Sequence, residues 1–130
     1  MSIKSETIDL KSRVIWSESN GVKFLIMDFQ YCTDEERIAI SDIALETIKQ
    51  QENKSVRLLV DVNNTTISIE SMRAVNKDWE GAAIYLNRVA IIGVSGFKSL
   101  LLKIWGSMIS FRTRPFPSKE EAIYYLCQSS

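Results

Sequence analysis

Three stretches of this chain are apolar with little or no alternation: Phe24-Leu25-Ile26-Met27, Val56-Arg57-Leu58-Leu59-Val60 and Val89-Ala90-Ile91-Ile92-Gly93-Val94. Strand-length runs of that kind belong to strands covered on both faces. Helix-length segments separate them. Alternation of doubly covered strands with helices implies an α/β fold, a mostly parallel sheet with helices packed against it.

The start of the chain departs from the alternation. Arg13–Glu18 and Val22–Phe29 are rich in β-branched and aromatic residues and flank Ser19-Asn20-Gly21. Asn-Gly supplies the positive φ angles of a tight hairpin, so these two runs form an antiparallel pair. Thr33-Asp34-Glu35-Glu36 then opens a helix running to about Gln51, with threonine and Glu36 in capping-box spacing and an acidic first turn facing the helix dipole. Val56–Val60 is the next strand, ending at Asp61. A second helix places Met72, Val75, Trp79, Ala82 or Ala83, and Leu86 on one stripe. A third helix is expected over 97–111. Arg114-Pro115-Phe116 suits only a short edge strand, because proline cannot donate to a central ladder. Ser118-Lys119-Glu120-Glu121 repeats the capping-box spacing and starts a fourth helix through Leu126. The expectation is a single domain over 1–130 with four or five strands and four helices, residues 1–12 being a flexible lead or an extra edge strand.

Length supports that reading, since 130 residues bury enough surface for one core without staples. Composition narrows the chemistry. There is no histidine, which removes Ser-His-Asp and Cys-His catalysis, His-ligated metal and an imidazole switch. Cys32 and Cys127 form no CxxC and cannot complete a zinc site alone, so the expectation is two reduced thiols and no metal or cofactor. The sixteen basic and sixteen acidic side chains balance, which argues against a nucleic-acid binder. No apolar run reaches the length of a membrane span, and the first residues have no signal-peptide pattern, so a cytoplasmic location is expected.

Four constellations carry candidate functions. Asp28 and Asp61 end two neighbouring strands, at the sheet edge where open α/β folds bind ligands; such a pair could hold a cation or divide acid and base roles, or each carboxylate could order its own turn. Gly93-Val94-Ser95-Gly96, with Lys98 following, has the free amides and hydroxyl of an anion-binding helix start, and equally of a tight strand-to-helix turn. Residues 88–130 hold six basic and two acidic side chains, against ten and fourteen in residues 1–87. That basic stretch is either a face for an acidic partner, a phosphate head group or a membrane surface, or a solvated helix face. In helix 97–111, Leu102, Trp105 and Ile109 form a second apolar stripe, buried within the fold or shared with a second copy or an apolar ligand. A homo-oligomer through this stripe is expected.

The order of these elements, and three stretches in particular, resemble the SpoIIAA-like, or STAS-type, family of small bacterial domains. The stretches are Phe24-Leu25-Ile26-Met27-Asp28-Phe29, Val56-Arg57-Leu58-Leu59-Val60-Asp61-Val62, and Val89-Ala90-Ile91-Ile92-Gly93-Val94-Ser95-Gly96-Phe97-Lys98 followed by Phe116 and Glu120-Glu121-Ala122. The resemblance implies a β–α superhelix and a non-catalytic interaction or regulatory module with a protein partner. In its anti-sigma-factor-antagonist branch an Asp-Ser at a helix start is phosphorylated. Here Ile67-Ser68-Ile69-Glu70-Ser71-Met72 occupies that region, without the family's glycine and with a one-residue shift. Ser71 is the corresponding switch candidate, and Ser68 the helix cap or a second candidate. A binder of a lipid or small amphiphilic anion is the first alternative, and an enzyme using Asp28 and Asp61 the second.

Overall fold

The structure is a computed structural model and describes residues 10–66, 68–95 and 113–129. Leu10–Arg13 is a 3-10 turn, and the rest of the lead considered over 1–12 lies outside the described residues. It leads into β1 (Val14–Ser19), which turns through Asn20 and Gly21 into β2 (Val22–Asp28). Then follow α1 (Asp34–Ile48), β3 (Val56–Asp61), α2 (Ile69–Trp79), β4 (Leu86–Ile92), β5 (Arg114–Phe116) and α3 (Lys119–Leu126). Three α-helices lie among the described residues; the helix expected over 97–111 falls outside them.

The five strands are arranged in chain order, β1-β2-β3-β4-β5. Only β1 runs antiparallel to its neighbour, and β2 through β5 are parallel. Asn20 and Gly21 have φ of 52° and 79°, the pair of positive values a two-residue hairpin needs. The fold is therefore α/β, with a mostly parallel five-stranded sheet entered by an antiparallel hairpin.

Alternation along each strand divides the core into two. Leu25, Met27, Leu58, Val60, Val89 and Ile91 point to one face, where Ile40, Ala44 and Ile48 of α1 and Trp79 cover them. Phe24, Leu59, Ala90 and Ile92 point to the other, against Ala122 and Leu126 of α3. Burial on both faces is what removes polar residues from these strands.

Two expectations from the sequence change. The stripe drawn from Met72 through Leu86 as one helix ends at Trp79: the chain tightens into a 3-10 turn over Glu80–Tyr85, and Leu86 opens β4. Gly81, a weak helix former, lies in the tightened segment. The ladder shifts register there, pairing Val56 with Leu86 but Arg57 with Arg88. The extra residue, Asn87, lets Leu86 and Arg88 point to opposite faces. At α3, Ser118 accepts from the Glu121 amide at 3.2 Å, but the return bond of the box is replaced by Ser118 Oγ donating to Glu121 Oε2 at 3.1 Å. Thr33 and Glu36 of α1 form the complete box. Among the described residues no helix is long and apolar enough to cross a membrane.

Candidate functional site

Asp28 and Asp61 are register partners at the carboxyl ends of β2 and β3. Each is occupied by its own turn. Asp28 Oδ1 accepts the Gln30 amide at 2.9 Å and lies 3.6 Å from Arg13 Nη1. Arg13 also donates to the Gln30 carbonyl at 2.7 Å, closing the loop after β2. Asp61 Oδ1 accepts both the backbone amide and Nδ2 of Asn63, each at 2.9 Å. These are Asx turns, in which a short carboxylate holds the amide two residues on.

The loops beyond the strands continue the ladder. Phe29 donates to the Asp61 carbonyl at 2.9 Å, Val62 to Ile92 at 2.9 Å, and Tyr31 to Asn64 at 3.0 Å. This last bond joins two residues in the left-handed region, Tyr31 at φ 59° and Asn64 at φ 53°. Tyr31 is held there with 76% of its surface exposed. An aromatic in that backbone conformation is uncommon and costs strain that its surroundings must offset. Gly93 follows β4 at φ 90°, and a Cβ there would stand 2.4 Å from the Asn63 nitrogen. Close approach of the β3 loop therefore requires glycine at this position.

Beneath this edge lies a polar knot. Arg37, 5% exposed in the first turns of α1, donates through Nη1 to the Cys32 carbonyl at 2.8 Å and to Thr65 Oγ1 at 2.7 Å. Its Nη2 pairs with Asp34 Oδ1. The buried Thr65 hydroxyl in turn donates to the Cys32 carbonyl at 3.0 Å. Asp34 Oδ2 accepts from Ser68 Oγ at 3.5 Å. The knot thus ties the start of α1 to the loop that starts α2. Burial pulls the Arg37 guanidinium below its ordinary range, with Cys32 as the opposing influence. Desolvation likewise pushes the Cys32 thiol up, Arg13 opposing, so the thiol stays protonated near neutrality. Both cysteines are free. A buried, protonated thiol is a poor nucleophile.

Asp28 and Asp61 are thus brought side by side, whereas Ser68 stands against Asp34 at the entry to α2. Ser71 falls in the first turn of that helix, with its backbone alone described. Ser95 is exposed just after β4. Gly96, Lys98, Leu102, Trp105 and Ile109 lie outside the described residues. Arg37, Thr65 and Tyr31 are absent from the sequence-derived candidates. Arg37 left a trace, because it continues the buried stripe Ile40, Ala44, Ile48 at positions where a charge is out of place.

The opposite ends of the strands are basic. Arg57 and Arg88, paired in register, reach over α3: Arg57 Nη1 donates to the Leu126 carbonyl, and at 2.7 Å to Gln128. Arg88 Nη2 donates to Ser129 at 2.8 Å, with its guanidinium 4.9 Å from the Tyr125 ring. Arg114 stacks on the same ring at 4.8 Å. Cations at a helix C-terminus complement its dipole and its free carbonyls.

No protein-family model matches the chain, and no curated protein matches it.

Proposed function

We propose that this chain is a non-catalytic, STAS-like interaction module whose working surface is the carboxyl-end edge of the sheet. The observation that carries the reading is the knot of Arg37, Thr65 and the Cys32 carbonyl, which joins the starts of α1 and α2 into one platform. Ser68 stands on its rim against Asp34, and Tyr31 projects beside it. The strand order in chain sequence and the opening hairpin are what a β–α superhelix of this type calls for. The carboxylates favour an interaction role over an acid–base role, because each has an oxygen engaged by the following turn.

The switch in this reading is Ser71, with Ser68 the second candidate. A phosphoryl group adds about −1.5 to −2 charges. At a helix start the dipole favours it, so the domain stays folded. On Ser68 it would also face the Asp34 carboxylate and change the charge of the platform. The test is phosphosite mapping of protein from its native cell, combined with quantitative recovery of bound protein by wild type and Ser71→Asp. Phosphate on Ser71 or Ser68, with a partner released by Ser71→Asp, is the expected result. Unmodified serines under every growth condition, with partner recovery unchanged in the variant, would overturn the switch.

A further inference from the structure

We propose that the outer edge of β1 pairs with β1 of a second copy, joining two sheets into one across a two-fold axis at Ile15. The two edges of the sheet differ in kind. β5 is three residues long with Pro115 at its centre, which blunts it against pairing. β1 is six residues long, has no proline, and among the described residues ladders only to β2. It carries Ile15, 49% exposed, and Trp16, 37% exposed, on opposite faces of the strand.

The hairpin fixes which backbone groups are available. The closing pair of a two-residue hairpin, here Ser19 with Val22, exchanges both its hydrogen bonds, and bonded pairs then recur at every second residue. Ser19, Ser17 and Ile15 therefore face β2, while Glu18, Trp16 and Val14 turn their amides and carbonyls outward. Antiparallel pairing of two such edges about Ile15 satisfies the outward groups against each other. Val14 bonds to Trp16 of the second copy, and Trp16 to Val14, while Ile15 meets its own counterpart. Side chains exposed in one copy then cover each other on both faces of the joined sheet.

Charge selects the same arrangement. The entry to β1 is basic, with Lys11 and Arg13, and its exit is acidic, with Glu18. An antiparallel pairing brings the Glu18 end of one strand towards the turn that carries the exposed Lys11 of the second copy, whereas a parallel pairing would set like charges side by side. A zero net charge adds no long-range repulsion. A single strand pair buries little surface, so the dimer is a reversible one.

The experiment measures mass by light scattering across roughly 1–500 μM, the range in which so small an interface dissociates, on wild type and Ile15→Lys. Amide hydrogen exchange is read in parallel. Two lysines would face each other directly across the pair, and Ile15 is exposed enough for the monomer to tolerate the change. A concentration-dependent wild-type dimer that becomes a folded monomer in Ile15→Lys supports the proposal. So does protection of the Val14 and Trp16 amides that rises with concentration while Ile15 and Ser17 stay protected throughout. The exchange pattern decides alone if the variant fails to fold. A monomeric wild type at all concentrations, a dimer unchanged in folded Ile15→Lys, or protection of Trp16 independent of concentration would each overturn it.

Discussion

The two ends of the sheet use the same physics over different distances. At the carboxyl end, Asp28 and Asp61 neutralise amides two residues away. At the amino end, Arg57 and Arg88 bond carbonyls at the end of α3 and just beyond it that are 69, 71 and 41 residues away. Acids sit where loop amides turn back, and bases sit where a helix leaves its carbonyls free. The carboxyl-end carboxylates therefore order their own turns, and the Arg37–Thr65 knot and the close approach of Gly93 to Asn63 join those turns to one another, whereas the amino-end arginines reach across to a docked α3. Tyr31 stands exposed on one of the carboxyl-end loops.

The sharpest way to break this comparison is Gly93→Ala. The residue holds φ at 90°, and its Cβ would meet the Asn63 backbone. Strain and overpacking together should cost about 3–5 kcal/mol, read as a lower midpoint in denaturant. Faster exchange of the Asn63 amide should accompany it, with α3 unaffected below the global transition. A variant as stable as wild type would mean that the β3 loop does not pack on Gly93. Next in size is Arg88→Met, which keeps the length of the side chain but loses the bond to Ser129 and the stack on Tyr125. A loss of about 1–2 kcal/mol is expected. Exchange should quicken in the last turn of α3 and stay unchanged at Gln30 and Asn63. Faster exchange at those two amides as well would show that the ends are coupled.

How much of this was legible follows from the same distances. The Thr33–Glu36 capping box, the Asn20-Gly21 hairpin and the position of Asp28 and Asp61 at strand ends are all written within a few residues, and the structure has each. The doubly apolar runs around Leu25, Leu58 and Ile91 identified the strands because burial on two faces leaves one composition. The long-range bonds of Arg37 and Arg57 could not be read, because their partners are chosen by packing. Arg88, the first basic side chain of the stretch 88–130, closes over α3 instead of either presenting a face to a partner or standing in solvent. The Met72–Leu86 stripe overran its helix because apolar periodicity alone does not mark where a 3-10 turn hands over to a strand.

The smallest expected effect is a pH dependence. Burial raises the folded-state pKa of Cys32 above its unfolded value, so folding favours the protonated thiol. That contribution is complete below the unfolded thiol value and is lost as pH rises through the folded one. Thermal melts should therefore decline at alkaline pH, and Cys32→Ala should flatten that decline while Cys127→Ala does not. Equal slopes in both variants would place the titrating group elsewhere.

The clasp at the amino end also orders events in time. During synthesis, β3 and β4 emerge before residues 125–129 do. Until then Arg57 and Arg88 are adjacent like charges with nothing of α3 to bind, on the sheet face that α3 will cover. Docking of α3 gives both guanidiniums carbonyl partners and packs Ala122 and Leu126 against Phe24, Leu59 and Ala90. Fraying of the last turn of α3 should therefore loosen the two arginines and the Leu126 side of the core together.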